Sequence, residues 1–135
     1  MPRCSPPLQP PLSLPQTLRG TVVVPLRARP EQPADTLSGL YPVLAACWMV
    51  PTGSEHLRGV QITARLALRR DGRLIAEPRI TFAAGAAGGR VRAALAQATL
   101  ASIRRCTPAH ITPALGGAIA GRPVALRFLY RESED

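Results

Sequence analysis

The strongest constraint on this chain is a run of alternation broken by one turn. Val60, Ile62, Ala64, Leu66 and Leu68 point one way and Gln61, Thr63, Arg65 and Arg69 the other. After Asp71-Gly72 the pattern resumes, with Leu74, Ala76, Ile80 and Phe82 on one side and Glu77, Arg79 and Thr81 opposite. A side-chain period of two marks a strand with one buried face. Asp-Gly is the pair that a type I′ turn favours, because both of its central positions need positive φ. Residues 58 to 82 therefore predict an amphipathic β-hairpin whose apolar face must be covered by another layer.

Two helical patterns supply that cover. Leu37, Leu40, Tyr41, Leu44 and Trp48 recur at helical spacing behind Asp35 or Thr36 as N-cap, and Pro51 and Gly53 end the run. Pro42 falls inside it, and a proline in a helix interior costs about 3 kcal/mol. The expected solution is a first turn broken at Tyr41 and a longer helix starting with Pro42 at its first position. Residues 90 to 106 are rich in Ala and free of Gly and Pro. Val91, Leu95, Ala98 and Ser102 form one face there, widened by Leu100 and Ile103. An irregular stretch with Pro113 and Gly116-Gly117 follows. Val124, Leu126, Phe128 and Tyr130 then alternate against Ala125 and Arg127 as a third strand.

The expected fold is α+β in the order α-β-β-α-β. A helix of about 17 residues spans ~25 Å at 1.5 Å per residue, enough to return the chain along the sheet. The third strand then lies beside the first, in a three-stranded antiparallel/mixed sheet of order 2-1-3 covered on one face by the two helices. Nine of the fifteen prolines fall before residue 34, so residues 1–34 are expected to be an extended or disordered lead-in. Within it Gly20 to Pro25 is β-branched enough for an edge strand, although a segment lying loosely against the domain is the plainer expectation. The domain is expected over residues 35–131, with a charged tail at 132–135.

The net charge of +9 raises the question of a polyanionic partner. Every basic residue other than His is Arg, and Lys and Asn are absent, as a GC-rich coding sequence would produce. The arginines are scattered, adjacent only at Arg69-Arg70 and Arg104-Arg105, and five aromatics are available to stack on bases. Nucleic acid is therefore disfavoured, and a solvated basic surface is the simpler account. Gly85 to Gly89 lacks the Lys and Ser/Thr of a phosphate loop and reads as a connector. Ser54 and Ser102 read as turn and helix residues, and no acid pair argues for general acid and base, so no enzymatic activity, substrate or cofactor is expected. Cys47, His56, Cys106 and His110 have spacings that match no strong zinc pattern, so no metal is expected. No stretch reaches the ~20 apolar residues of a membrane-spanning helix. The start at Met1-Pro2-Arg3-Cys4 carries no apolar leader core, which leaves a cytosolic chain, a Met1 lying downstream of the true start, and a removed leader as alternatives.

Several segments taken together resemble the TolA/TonB C-terminal-like domains of Gram-negative cell envelopes. They are Cys47-Trp48 closing the first helix, the hairpin around Asp71-Gly72, Ile103-Arg104-Arg105-Cys106-Thr107-Pro108, and Val124-Ala125-Leu126-Arg127-Phe128. Glu77 to Thr81 and Leu115 to Pro123 are similar to small alphaproteobacterial envelope proteins carrying that domain. The resemblance implies an exported, periplasmic domain with an envelope protein or peptide segment as partner, the cytoplasm remaining the alternative. Export in turn favours a Cys47–Cys106 disulfide over two free thiols, both cysteines standing at helix ends on one face of the sheet. In order 2-1-3 the third strand is an edge, so Val124, Ala125, Leu126, Arg127, Phe128 and Leu129 are the expected partner-binding residues, by strand addition or through a homodimer. Arg65, Arg69, Arg79 and Arg127 offer an alternative face for an anionic ligand.

Overall fold

The computed structural model describes residues 17–51, 59–85 and 88–130. The elements run β1 (Leu18–Val24), α1 (Leu37–Ala45), β2 (Gln61–Leu66), β3 (Arg79–Ala84), α2 (Gly89–Arg105), α3 (Pro113–Ile119) and β4 (Val124–Tyr130). The class is α+β, but among the described residues the sheet has four strands in the order β1-β4-β2-β3. β4 is antiparallel to β2 and parallel to β1. The stretch β3-β2-β4 contains the hairpin and closing strand expected from the sequence. The whole differs from a three-stranded sheet because residues 18–24, assigned to the lead-in, form a strand of the domain.

α1 lies against β1, α2 lies against β2 and β3, and the two helices touch each other. Leu40, Leu44, Leu95, Ile103, Ile62, Leu66, Leu126 and Phe128 are buried in the layer between. Thr36 caps α1, its side-chain oxygen accepting from the Gly39 N–H. The helix does not break at Tyr41; it runs through Pro42. The carbonyl deprived of its donor belongs to Ser38, which is exposed, so water can satisfy it and the proline is tolerated. The helix also ends at Ala45, before Trp48 and well short of Pro51.

The hairpin tip differs from a two-residue turn. The Gly72 N–H donates to the Arg69 carbonyl at 2.9 Å, and the Arg69 N–H donates to the Arg73 carbonyl at 2.7 Å. Arg70, Asp71 and Gly72 thus make a three-residue loop, with Gly72 at φ +90° in the position that needs glycine. A side chain at Gly72 would also strike the backbone of Ala109, whose N–H donates to the Gly72 carbonyl.

α3 occupies the stretch around Pro113 and Gly116-Gly117, where irregular structure is expected from the sequence. Thr112 caps it, Pro113 starts it, and Gly116 lets it approach the Arg70 carbonyl more closely than any side chain would allow. The Thr112 hydroxyl donates to the Asp35 carboxylate at 2.6 Å, joining the approach to α1 to the start of α3.

Candidate functional site

Strand edges are where a sheet of this kind can take up an extended segment, and the two edges here are treated differently. The edge expected to be open is filled. β1 runs beside β4 in unbroken register from Leu18↔Val124 to Val24↔Tyr130, so β4 has a neighbour on both sides. Val124, Leu126 and Phe128 face the helices and are buried, whereas Ala125, Arg127 and Leu129 lie on the uncovered face. Val124 to Leu129 are therefore not a free edge.

The physical cause lies in β1 itself. Val22 and Val24 bury their side chains with the core, and β-branched residues suit a pleated, half-buried surface. Gly20 has no side chain, which lets the Tyr41 ring sit against the strand backbone, a space that a Cβ would occupy. The Tyr41 hydroxyl donates to the Arg19 carbonyl at 3.1 Å. Burial pushes the Tyr41 phenol above its ordinary value, since the phenolate would be poorly solvated there.

β3 stands at the opposite end of the strand order and, among the described residues, pairs with β2 alone. Its register changes between Thr63 and Ala64: Thr63 pairs with Phe82 but Ala64 pairs with Ile80, leaving Thr81 as the extra residue of a bulge. One extra residue reverses the parity of everything after it. Phe82, expected inward with Ile80, consequently points to the uncovered face and is 53% exposed. Arg79 and Phe82 end on the same side because their partners Arg65 and Thr63 are two residues apart on β2.

The uncovered face carries Arg19, Arg65, Arg79 and Arg127, all exposed, together with half-exposed apolar residues such as Val23 and Leu129. Arg69 stands instead at the base of the hairpin loop, its N–H donating to the Arg73 carbonyl. The Arg127 guanidinium donates to the Gln61 side-chain oxygen at 3.5 Å. Glu77 pairs with Arg104 at 3.0 Å.

Cys47 and Cys106 form a disulfide with a Cα separation of 5.8 Å. It joins the turn after α1 to the C-cap of α2. Beside it the buried Ser102 hydroxyl donates to the Leu44 carbonyl at 2.8 Å, a second link between the helices that the sequence offered only as an ordinary helix residue. The disulfide removes both thiols from any zinc set. His110 is exposed, and His56 and Ser54 lie outside the described residues. Among the described residues no three His, Cys, Asp or Glu side chains converge on a metal position. A cleft of about 450 Å³ beside the disulfide is lined by Pro30 to Pro33, Val43, Ala46 and the segment around Cys106 to His110.

No curated protein and no solved structure matches the chain. A family model does match, over residues 30–132, which takes in α1 through β4 and leaves β1 outside the matched span. The chain therefore belongs to the family described as Uncharacterised conserved protein UCP034077.

Proposed function

We propose that this chain is a non-enzymatic protein-interaction domain of the cell envelope, related in kind to the TolA/TonB C-terminal-like domains, which captures an extended segment of a partner by strand addition at β3. The observation that carries the reading is the contrast between edges. β4 already holds an added strand from a remote part of the chain, and of the two terminal strands, each paired on one side only among the described residues, β1 is anchored to α1 through Tyr41 whereas β3 projects an exposed Phe82 beside its edge. A free edge supplies backbone donors and acceptors to any extended chain, and a neighbouring aromatic adds specificity. The Cys47–Cys106 disulfide supports an oxidising compartment such as the periplasm, because such bridges are rare where glutathione keeps thiols reduced.

The test places a photo-crosslinking amino acid at position 82 and, as control, at exposed position 105 on the helical side of the domain. Envelope partners are expected to couple to position 82, and amides 79–84 are expected to gain protection from hydrogen exchange in the isolated complex. Unchanged exchange of those amides in a stable complex would refute strand addition there. A non-reduced digest of exported protein should contain the Cys47–Cys106 peptide pair; two free thiols would remove the support for an oxidising compartment.

Binding of single-stranded nucleic acid is a second reading, favoured by one observation. Arg65, Arg79 and Arg127 surround the exposed Phe82 face of an open sheet, a combination that can pair with phosphates and stack a base. A steep fall in affinity with salt would mark that mode.

A further inference from the structure

Arg65 and Arg79 are directly opposite one another on β2 and β3, on the uncovered face. Like charges at that position repel, a repulsion that a carboxylate placed between them would relieve. Both guanidinium groups lack a hydrogen-bond or ion-pair partner among the described residues. The nearest acid in sequence, Glu77, is held by Arg104 at 3.0 Å. The two arginines line an open cleft of about 400 Å³, whose other walls include Thr81, Ile75, Pro123 and the Arg104-paired Glu77 itself. Ile75 is an exposed large apolar residue. The bulge at Thr81 sets Phe82 on the same face as Arg79, one step further along the edge.

We infer that this cleft is a carboxylate site that reads an acidic side chain of the strand added at β3. The inference rests on the strand-addition reading and adds the partner's chemistry to it. A strand laid along β3 presents alternate side chains to the uncovered face, directly beside those of β3. An Asp or Glu next to Arg79 reaches both guanidinium groups and relieves their repulsion, with charge-assisted hydrogen bonds stronger than neutral ones. An apolar residue two positions away covers Phe82. The partner is thus an extended segment with an acidic and an apolar residue on the same side. A second copy of this chain does not fit, because pairing β3 with β3 brings a second set of the same arginines to a protein of net charge +9.

The test uses the full-length oxidised chain and three probes: a short capped Thr/Val peptide with one central Glu and one Leu two positions away, its Glu→Gln counterpart, and a single-stranded oligonucleotide. Amide shifts of residues 79–84 report strand addition, and the arginine Nε–H signals report the carboxylate. The Glu peptide is expected to bind about tenfold more tightly than the Gln peptide, equivalent to one charge-assisted contact of about 1.4 kcal/mol. That preference should vanish in the Arg65→Gln/Arg79→Gln double variant, whose affinity for the Gln peptide is unchanged; both positions are exposed, so the fold is expected to persist. Equal binding of the two peptides with shifted β3 amides would overturn the carboxylate site and leave strand addition standing. Preference for Glu retained in the double variant would place the acid elsewhere and overturn the inference. Peptides that leave the β3 amides unmoved would sink both readings. An oligonucleotide that binds as tightly as the Glu peptide, and is lost in the same variant, would make the arginines a phosphate site instead.

Discussion

The two sides of this sheet solve the same problem in opposite ways. On the β1 side the terminal strand is anchored to the core: Val22 and Val24 bury with it, Gly20 admits the Tyr41 ring, and the Tyr41 hydroxyl ties down the Arg19 carbonyl. On the β3 side a short bulged strand ends the sheet, with arginine and an exposed aromatic at its margin. Bulges and charged side chains are how natural proteins keep an open edge from pairing indiscriminately. The comparison teaches that the two terminal strands of one sheet can differ in their tie to the core, β1 held by buried valines and the Tyr41 contact, β3 carrying its largest side chain outside.

The largest difference should come from proline. β4 is interior, so each backbone N–H within it serves one neighbour or the other, and Ala125→Pro and Arg127→Pro should both abolish cooperative folding by chemical denaturation. On β3, one of the prolines at Phe82 or Ala83 should leave a folded domain, because alternate N–H groups there point away from β2. If prolines on both strands are equally damaging, the asymmetry of the edges is wrong.

Truncating one phenylalanine on each strand comes next. Phe128 is 1% exposed, and Phe128→Ala should cost about 3–5 kcal/mol in urea unfolding. Phe82→Ala should cost less than about 1 kcal/mol while weakening partner capture. Comparable losses at the two sites would mean that Phe82 is covered in solution.

A smaller effect separates β1 from the rest of the sheet. Gly20→Val forces a side chain into the Tyr41 ring, an overpacking expected to cost about 1–3 kcal/mol. Hydrogen exchange should then accelerate at β1 and at the β4 amides facing it, with β2 and β3 little changed. Uniform acceleration across the sheet would show that β1 does not open on its own.

The smallest is a pH effect on the same contact. The folded-state pKa of Tyr41 is raised by burial, so the stability it contributes is fully present below the unfolded value near 10 and is lost as pH rises through the raised folded value. Tyr41→Phe should flatten that alkaline loss in thermal melts, leaving the profile below pH about 9 unchanged.

Much of this architecture was legible in the order of residues. The hairpin strands, the buried Leu66 and Phe128, and the exposed Arg65 and Arg127 follow from a period of two that a half-buried strand cannot avoid. The face of Phe82 was not legible, because a bulge leaves no mark when the residues around it are β-branched or small, as Thr81, Ala83 and Ala84 are. α3 did carry a signature in Thr112-Pro113, an N-cap followed by a first-turn proline, but Gly116-Gly117 obscured it. β1 was readable as a possible strand, and its partner was not. Which edge Gly20 to Val24 would cover depends on the Tyr41 ring meeting the Gly20 backbone, a contact between segments far apart in the chain.

The parallel pairing of β1 with β4 also fixes how the domain would respond to mechanical load. Leu18, where the chain enters β1, lies beside Val124, whereas the chain leaves β4 at Tyr130, the far end of the same ladder. Tension between the two ends of the polypeptide therefore pulls these strands lengthwise in opposite directions. Their hydrogen bonds are loaded together, in shear, rather than being peeled open one after another. The disulfide encloses only the chain between Cys47 and Cys106 and carries none of that load across the β1–β4 contact. Pulled from its ends, the molecule should resist as a clamp and yield in one step, with β1 the first element to part.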